Sequence, residues 1–164
     1  MLTIETGEDN KILRKISKEI SKDKLKKYVK LGKEMIKYIK NPDNGGVGLA
    51  APQVGYSKRL IVVSLLKDRE DETYPTIMMI NPEILEHWEE QVWCEEWCLS
   101  VPWEKWKVLR WESIKIKYFD EKFKENIMLL HGLRADIVQH EIDHLNGILF
   151  TDRLKQQEKN SLFT

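Results

Sequence analysis

The most regular hydrophobic pattern of this chain lies between Ser21 and Lys40, where apolar residues recur every three or four positions among lysines. They are Leu25, Tyr28, Val29, Leu31, Met35, Ile36 and Ile39. This spacing predicts an amphipathic helix that starts at Ser21 or Asp23 and ends before the Asn41-Pro42-Asp43-Asn44-Gly45-Gly46 loop. A shorter apolar face predicts another helix over residues 9–18, capped by Asp9 or Asn10.

After this loop the pattern changes to short runs rich in isoleucine, valine, methionine and tyrosine, which are typical of strands. They predict strands over residues 59–65, 76–80, 113–119 and 125–130, punctuated by Pro75 and Asn81-Pro82. A second long helix is predicted from His131-Gly132 to Leu145. The order of helix, strands and helix predicts an α+β fold. We expect one catalytic domain over residues 1–164, in which residues 153–164 form a short terminal helix or a frayed tail.

Charge and composition narrow the expected partners. The chain has 164 residues, and its 27 basic and 27 acidic side chains cancel, so we expect neither sequence-specific nucleic acid nor a membrane as a partner. The apolar run Leu60-Ile61-Val62-Val63 is far shorter than the ~20 residues that span a bilayer. The first residues do not resemble a signal peptide, which predicts a cytoplasmic protein.

The segment His140-Glu141-Ile142-Asp143-His144 is the clearest chemical signal. Histidines four residues apart lie about 40° from eclipsed on a helix, so both can bind one metal ion. Glu141 then lies beside the metal without binding it, as in hydrolases that use a metal to acidify water. The alternative is a helix face whose two histidines are solvated or hydrogen-bonded at the edge of the core.

A second signal is the run of small residues from Gly46 to Gly55. Its glycines and alanines leave backbone open to the approach of another extended chain. Gln53 adds an amide that can donate a hydrogen bond to a developing oxyanion. A turn with a small-residue packing contact is the alternative, whereas no Lys-Ser/Thr pair follows to support phosphate binding.

The third segment contains the two cysteines, Cys94 and Cys98. A pair four residues apart is a poor structural disulfide but a reasonable source of one metal thiolate. A Cys98 thiolate would complete a Cys-His-His set with one open position for water. A buried apolar thiol is the alternative.

In this order and with these separations, the three segments resemble the motifs of the peptide deformylases, metal-dependent hydrolases that remove the N-formyl group from newly made proteins. The resemblance runs from about residue 10 to Asp152. Gly46 to Gln53 match the first family motif, and His140 to His144 match the third. The second family motif corresponds to Glu96-Trp97-Cys98-Leu99-Ser100, in which tryptophan stands where the family has glycine. The resemblance implies mostly antiparallel sheets around a central helix that carries the HExxH motif, with an amphipathic helix near the N-terminus.

The resemblance also implies a set of roles. Cys98, His140 and His144 would bind one divalent metal ion, usually Fe2+, although Zn2+, Ni2+ or Co2+ can occupy such sites. Glu141 would be the general acid and base, with Gln53 and the Leu99 N–H stabilising the oxyanion.

The N-formylmethionyl nascent peptide would lie extended between residues 46–49, which include Gly48, and residues 97–99, which include Trp97. Val47, Cys94, Leu133 and Ile137 would line its methionine pocket. The ribosome is a further candidate partner. Glu96 and Arg110 also fall where the family has a paired acid and base, and a salt bridge between them would support the cysteine segment. The alternative is that both are ordinary surface charges.

All six tryptophans fall within residues 88–111, whereas all eight glycines lie outside that window. Chance clustering is one explanation, and a partner surface or an enlarged peptide groove is another. Because Trp97 and Trp103 stand where the family often has glycine, a third hypothesis is that TGA codons decoded as glycine have been read as tryptophan. A genuine Trp97 would narrow the groove, and its Cβ excludes backbone angles that glycine alone adopts.

Two other functions remain open from the sequence. A different HExxH hydrolase, such as a small metallopeptidase, leaves the first two motifs unexplained. A deformylase-like scaffold that binds peptides or ribosomes without turnover is disfavoured by the intact Cys98, His140, Glu141 and His144.

Overall fold

A computed structural model describes residues 2–68, 70 and 73–161. Its α-helices are α1 (Leu25–Ile39), α2 (Leu133–Leu145) and α3 (Phe150–Ser161), and short 3-10 turns cover Lys22–Lys24 and Ala51–Val54. The predicted amphipathic helix is therefore confirmed as α1. The C-terminal segment is helical from Phe150 to Ser161, and residues 162–164 lie outside the described part of the chain.

Seven strands form two antiparallel sheets in the described residues. They are β1 (Gly48–Ala50), β2 (Leu60–Ser64), β3 (Thr76–His87), β4 (Gln91–Cys98), β5 (Val101–Trp111), β6 (Ser113–Phe119) and β7 (Glu125–His131). Five of them pair in the order β1-β2-β3-β6-β7, while β4 and β5 form a separate hairpin. The predicted α+β fold is confirmed.

Strand β2 lies between two hydrophobic clusters, one on each face of the five-stranded sheet. All five of its residues are buried because both faces of the sheet are covered. Ile61 and Val63 belong to the core cluster that includes α2, whereas Leu60 and Val62 belong to the cluster that includes α1. None of the helices in the described residues has the length and apolarity needed to cross a membrane.

The helix predicted over residues 9–18 is wrong, because this segment forms successive turns. The Asn10 side chain accepts hydrogen bonds from the N–H groups of Ile12 and Leu13, at 2.8 and 3.3 Å. The chain then leaves the turn, since the Ser17 N–H donates to the Leu145 carbonyl at 2.8 Å. Tertiary hydrogen bonds thus replace the continuation of the helix.

Strand β3 passes through the Asn81-Pro82 pair that was predicted to end it. Asn81 has a φ of 49°, and the pairing with β6 shifts register between Ile80 and Glu83. The Asn81 side chain accepts from the Ile20 N–H at 2.8 Å and donates to the Ile20 carbonyl at 2.9 Å. These bonds stabilise a β-bulge, so the strand bends and continues to His87.

Candidate active site

Three potential metal ligands meet where the end of β4 approaches α2. Cys98 ends β4, and His140 and His144 lie one turn apart on α2. One ligand atom from each residue lies within 4.8 Å of the other two, and the Cys98 Sγ is 3.3 Å from the His144 Nε2. One thiol and two imidazoles therefore converge on a volume that suits a single ion.

The chemistry of this donor set fits a transition metal. Burial raises the pKa of Cys98, but its interactions with His144 and His140 outweigh that effect and hold the pKa well below the usual value of a thiol. The Ser100 N–H also donates to the Cys98 Sγ, at 3.4 Å. A thiolate with two imidazoles is a set that iron, zinc, nickel and cobalt accept.

Glu96 fixes the orientation of His140. One oxygen of the Glu96 carboxylate lies 2.6 Å from the His140 Nδ1, which leaves the Nε2 of that ring available to a metal. Arg110 donates to the same carboxylate twice, through Nε at 2.5 Å and Nη2 at 3.0 Å. Glu96 and Arg110 are both buried, so the predicted salt bridge is confirmed and the surface alternative is wrong.

This buried network continues to the last helix. Arg110 donates through Nη1 to Asp143 at 2.6 Å. Arg153 of α3 donates to both oxygens of Asp143, at 3.0 and 2.6 Å. A chain of ion pairs therefore runs from α3 through Asp143, Arg110 and Glu96 to His140, and it supports the ligand from behind.

Glu141 lies beside the ligands with its carboxyl group against the backbone of Gly48. A Cβ built on Gly48 would lie 2.3 Å from the Glu141 Oε1. Burial, the dominant influence, raises the pKa of Glu141 to about 7, although His140 and His144 act to lower it. Its Oε2 is buried without a hydrogen-bond partner among the described residues. A carboxyl group in this state is suited to exchange protons near neutral pH.

Gln53 is held with its amide directed at the cysteine segment. Its Oε1 accepts from the Ala50 N–H at 2.8 Å, which fixes the amide plane. Its Nε2 donates to the Ser100 Oγ at 3.1 Å and lies 3.5 Å from the Cys98 Sγ. A buried donor therefore lies next to the ligand set, where an oxyanion would form.

A cavity of about 310 Å3 opens beside these groups. Of the residues that the sequence predicted for the site, Val47, Gly48, Gln53, Trp97, Cys98, Leu99, Leu133, Ile137, His140 and Glu141 line it. His144 reaches the site through its contact with Cys98. Cys94, predicted as a wall of the methionine pocket, is not among the lining residues.

Sequence reasoning missed Asp136 at this cavity. It lies four residues before His140, hence on the same face of α2, and its side chain is buried 3.9 Å from the Arg110 Nε. Burial and the nearby Glu96 raise the pKa of Asp136 to about 7. The spacing from His140 was the available signal for it.

Trp97 lies at the rim of the same cavity. In the described residues, the positive φ angles outside glycine belong to Asn81 and Phe123, so the backbone at Trp97 and Trp103 does not require glycine. The residue is 43% exposed. Tryptophan at this position is therefore compatible with the observed backbone.

Comparisons with known proteins agree with this geometry. The family model described as polypeptide deformylase matches residues 1–160. A peptide deformylase from Synechocystis is 43% identical over 147 residues, which are 88% of this chain and 75% of that protein. One from Prochlorococcus marinus is 45% identical over 130 residues, and the match spans 79% of this chain and 62% of that relative.

Solved structures give the same result. The Met-Ala-Ser-bound crystal structure of a class I type b peptide deformylase from Acinetobacter baumannii superposes with a TM-score of 0.82 at 38% identity. The match covers 93% of this chain and 98% of that one. The resemblance thus extends to the fold and to nearly all of the described residues.

Proposed function

The chain belongs to the polypeptide deformylase family, and from this premise we propose that Cys98, His140 and His144 hold its metal ion while Glu141 moves the protons of its reaction. That reaction is the removal of the N-formyl group from nascent peptides. When bound, the divalent ion supplies a Lewis acid that acidifies water and polarises the formyl oxygen. We expect Fe2+ from the family resemblance, and Zn2+, Ni2+ or Co2+ can also bind this donor set.

Glu141 performs the proton transfers in this proposal. Its carboxylate takes a proton from the attacking water, whose oxygen adds to the formyl carbon. The bond between that carbon and the amide nitrogen then breaks, and Glu141 returns the proton to the leaving amine. The products are formate and a peptide with a free N-terminal methionine. The buried, unpartnered oxygen of Glu141 beside the three ligands is the observation that carries this assignment.

Gln53 and the Leu99 N–H stabilise the oxyanion of the tetrahedral intermediate. The amide of Gln53 is already oriented by its bond to Ala50, so it needs no rearrangement during the reaction. Donors of this kind contribute about 3 kcal/mol each to transition-state stabilisation in other hydrolases.

The substrate peptide adds as a strand between two sheet edges. β1 is the edge strand of the five-stranded sheet, and β4 pairs with β5 alone in the described residues. An extended peptide between them can bond to the backbones of Val47, Gly48 and Trp97, as in strand addition. Leu133 and Ile137 of α2 then provide apolar walls for the methionine side chain.

We also propose that the whole chain acts as one catalytic domain in the cytoplasm, where it meets its substrates as they leave the ribosome. Support for the single domain comes from the site itself. It combines residues from the segment around β1, from β4 and from α2, and the network behind it reaches α3.

Turnover of two peptides under anaerobic conditions tests the proposal, because a ferrous ion bound by a thiolate is sensitive to oxygen. We expect formate release from formyl-Met-Ala-Ser with one equivalent of metal bound, and no cleavage of an unformylated peptide that contains internal metallopeptidase sites. Cleavage of the unformylated peptide alone would favour the metallopeptidase alternative. Bound metal without turnover of either peptide would indicate a scaffold.

A further inference from the structure

The indole of Trp97 lies beside the cavity, between Pro102 and the loop that contains Gly45. A methyl group built on Gly45 would lie 3.7 Å from the Cη2 of Trp97, so the tip of the indole lies near the loop that precedes β1. At the other side of the ring, the Nε1 donates to the Pro102 carbonyl at 3.4 Å. The ring therefore lies between β4 and that loop, with 43% of the residue exposed.

The alternation of β4 places Trp97 on the opposite face from the metal ligand. Glu96 and Cys98 are buried and point toward α2, whereas Glu95 and Trp97 are exposed on the other face. A peptide that adds to the free edge of β4 alternates in the same way. If its methionine side chain points toward α2, the side chain of the next residue lies on the face of Trp97.

The surroundings of the indole make this face a neutral apolar platform. On the exposed face of the β4–β5 hairpin, the charged residues that line the cavity are Glu95 and Lys105. They pair with each other at 3.1 Å, so neither offers an uncompensated charge to the substrate. An exposed indole beside a compensated ion pair favours apolar and aromatic groups over charged ones.

We propose that Trp97 binds the side chain of the residue that follows formyl-methionine and makes the enzyme prefer an apolar or aromatic residue there. This inference rests on the proposed function and adds a determinant of substrate selectivity to it. The indole acts as a wall of a second side-chain site, which a smaller residue at position 97 would not provide.

Kinetics with the peptides formyl-Met-X-Ser, where X is Gly, Ala, Leu or Phe, test this role. We expect kcat/KM to be about tenfold higher for Phe than for Gly, with the difference mainly in KM. Trp97→Ala should abolish this preference, so that kcat/KM for the Phe and Gly peptides differs by less than about twofold. Trp97→Phe should retain part of the preference, and it tests the role independently if the alanine variant binds less metal or melts at a lower temperature.

Trp93→Ala is the matched control. Trp93 is on the same face of β4, four residues earlier, and is 60% exposed. It lines a different cavity, of about 590 Å3, between the β4–β5 hairpin and α3. This variant should keep the preference for Phe over Gly.

The outcomes separate this inference from the proposed function. An unchanged Phe-to-Gly ratio in both Trp97 variants would overturn the inference, and so would faster turnover of the Phe and Leu peptides in Trp97→Ala, because the indole would then exclude these side chains. Absence of deformylation of every peptide by the metal-loaded parent protein would instead overturn the proposed function.

Discussion

The carboxyl group of Glu141 occupies the space that a side chain at position 48 would need. A Cβ on Gly48 would lie 2.3 Å from the Glu141 Oε1 and 2.8 Å from its Cδ, well inside the distances that real atoms keep. The φ of Gly48 is not positive, so the backbone alone would accept another residue. Glycine is needed at position 48 because the Glu141 carboxyl group, the proposed acid and base, lies against the backbone of β1 there.

Gly48→Ala should therefore impair turnover more than folding. The added methyl group displaces the Glu141 carboxyl, and we expect kcat to fall about 100-fold, the lower range for loss of a positioned proton-transfer group. Metal content, measured by elemental analysis, should remain at one equivalent. Gly7→Ala is the control, because its methyl group meets nothing within 4 Å although its φ is +102°. It should lower the melting temperature without this loss of kcat.

Glu141→Ala separates metal binding from proton transfer. We expect the variant to retain its metal, since Glu141 is not one of the three ligands, and to lose at least about 100-fold in kcat. Formate release and metal analysis on the same sample measure both properties. Turnover equal to that of the parent protein would show that another group moves the protons.

Arg110→Met tests the buried network behind His140. Loss of this guanidinium leaves the Glu96 and Asp143 carboxylates partly unpaired in the interior, which should lower the free energy of unfolding by about 3–5 kcal/mol. Metal affinity should fall about 10- to 100-fold, because Glu96 orients His140. Lys117→Met is the matched control. Its ion pair with Glu83 lies at the surface, with the two side chains 31% and 58% exposed, and its removal should cost less than about 1 kcal/mol.

The two cysteines should differ in their importance for metal binding. Cys98→Ser replaces the thiolate with a poor ligand and should lower the bound metal to well below one equivalent. Cys94→Ser should keep the metal, because burial raises the pKa of the Cys94 thiol to about 12 and Cys94 is not part of the ligand cluster.

Treatment of the parent protein with a chelator should abolish turnover, and added Fe2+ should restore it. Loss of metal from Cys94→Ser, with metal retained by Cys98→Ser, would contradict this assignment of the ligands.

The codons for Trp97 and Trp103 test the hypothesis of reassigned glycines. That hypothesis predicts TGA at both positions and glycine masses in the corresponding peptides of the native protein. TGG at both codons would end it. The role inferred for Trp97 applies to the chain with tryptophan at this position, so a glycine mass there would remove the aromatic wall from the native groove.

The parts of the fold that follow simple periodicity were predictable. The heptad-like spacing of α1 predicted its buried face, and β6 agrees with the predicted residues 113–119 because its buried positions are all apolar. Strands β4 and β5 were missed for a physical reason. Their buried positions include Glu96 and Arg110, while Trp93 and Trp103 face solvent, so the usual contrast between apolar and polar positions is inverted.

The proposed ligands were accessible from sequence because their chemistry and spacing are local within each motif. The need for glycine at position 48 was not, since it depends on how closely β1 and α2 approach one another. The spacing of Asp136 from His140 indicated its face of α2 but not its buried position near Arg110. Likewise, the predicted salt bridge gave no indication that Arg153 of α3 would extend it. Motifs indicate candidate reacting groups, whereas the contacts that hold these groups depend on tertiary packing.

The ion pair between Arg153 and Asp143 also has a consequence for the order in which this protein matures. His140 is oriented through Glu96, Arg110 and Asp143, and the last partner in that series comes from α3. During translation, the ion pair between Arg153 and Asp143 cannot form until α3 has emerged from the exit tunnel. A protein that processes the first residue of other chains therefore completes the support of its own candidate site only after its third helix has been synthesised.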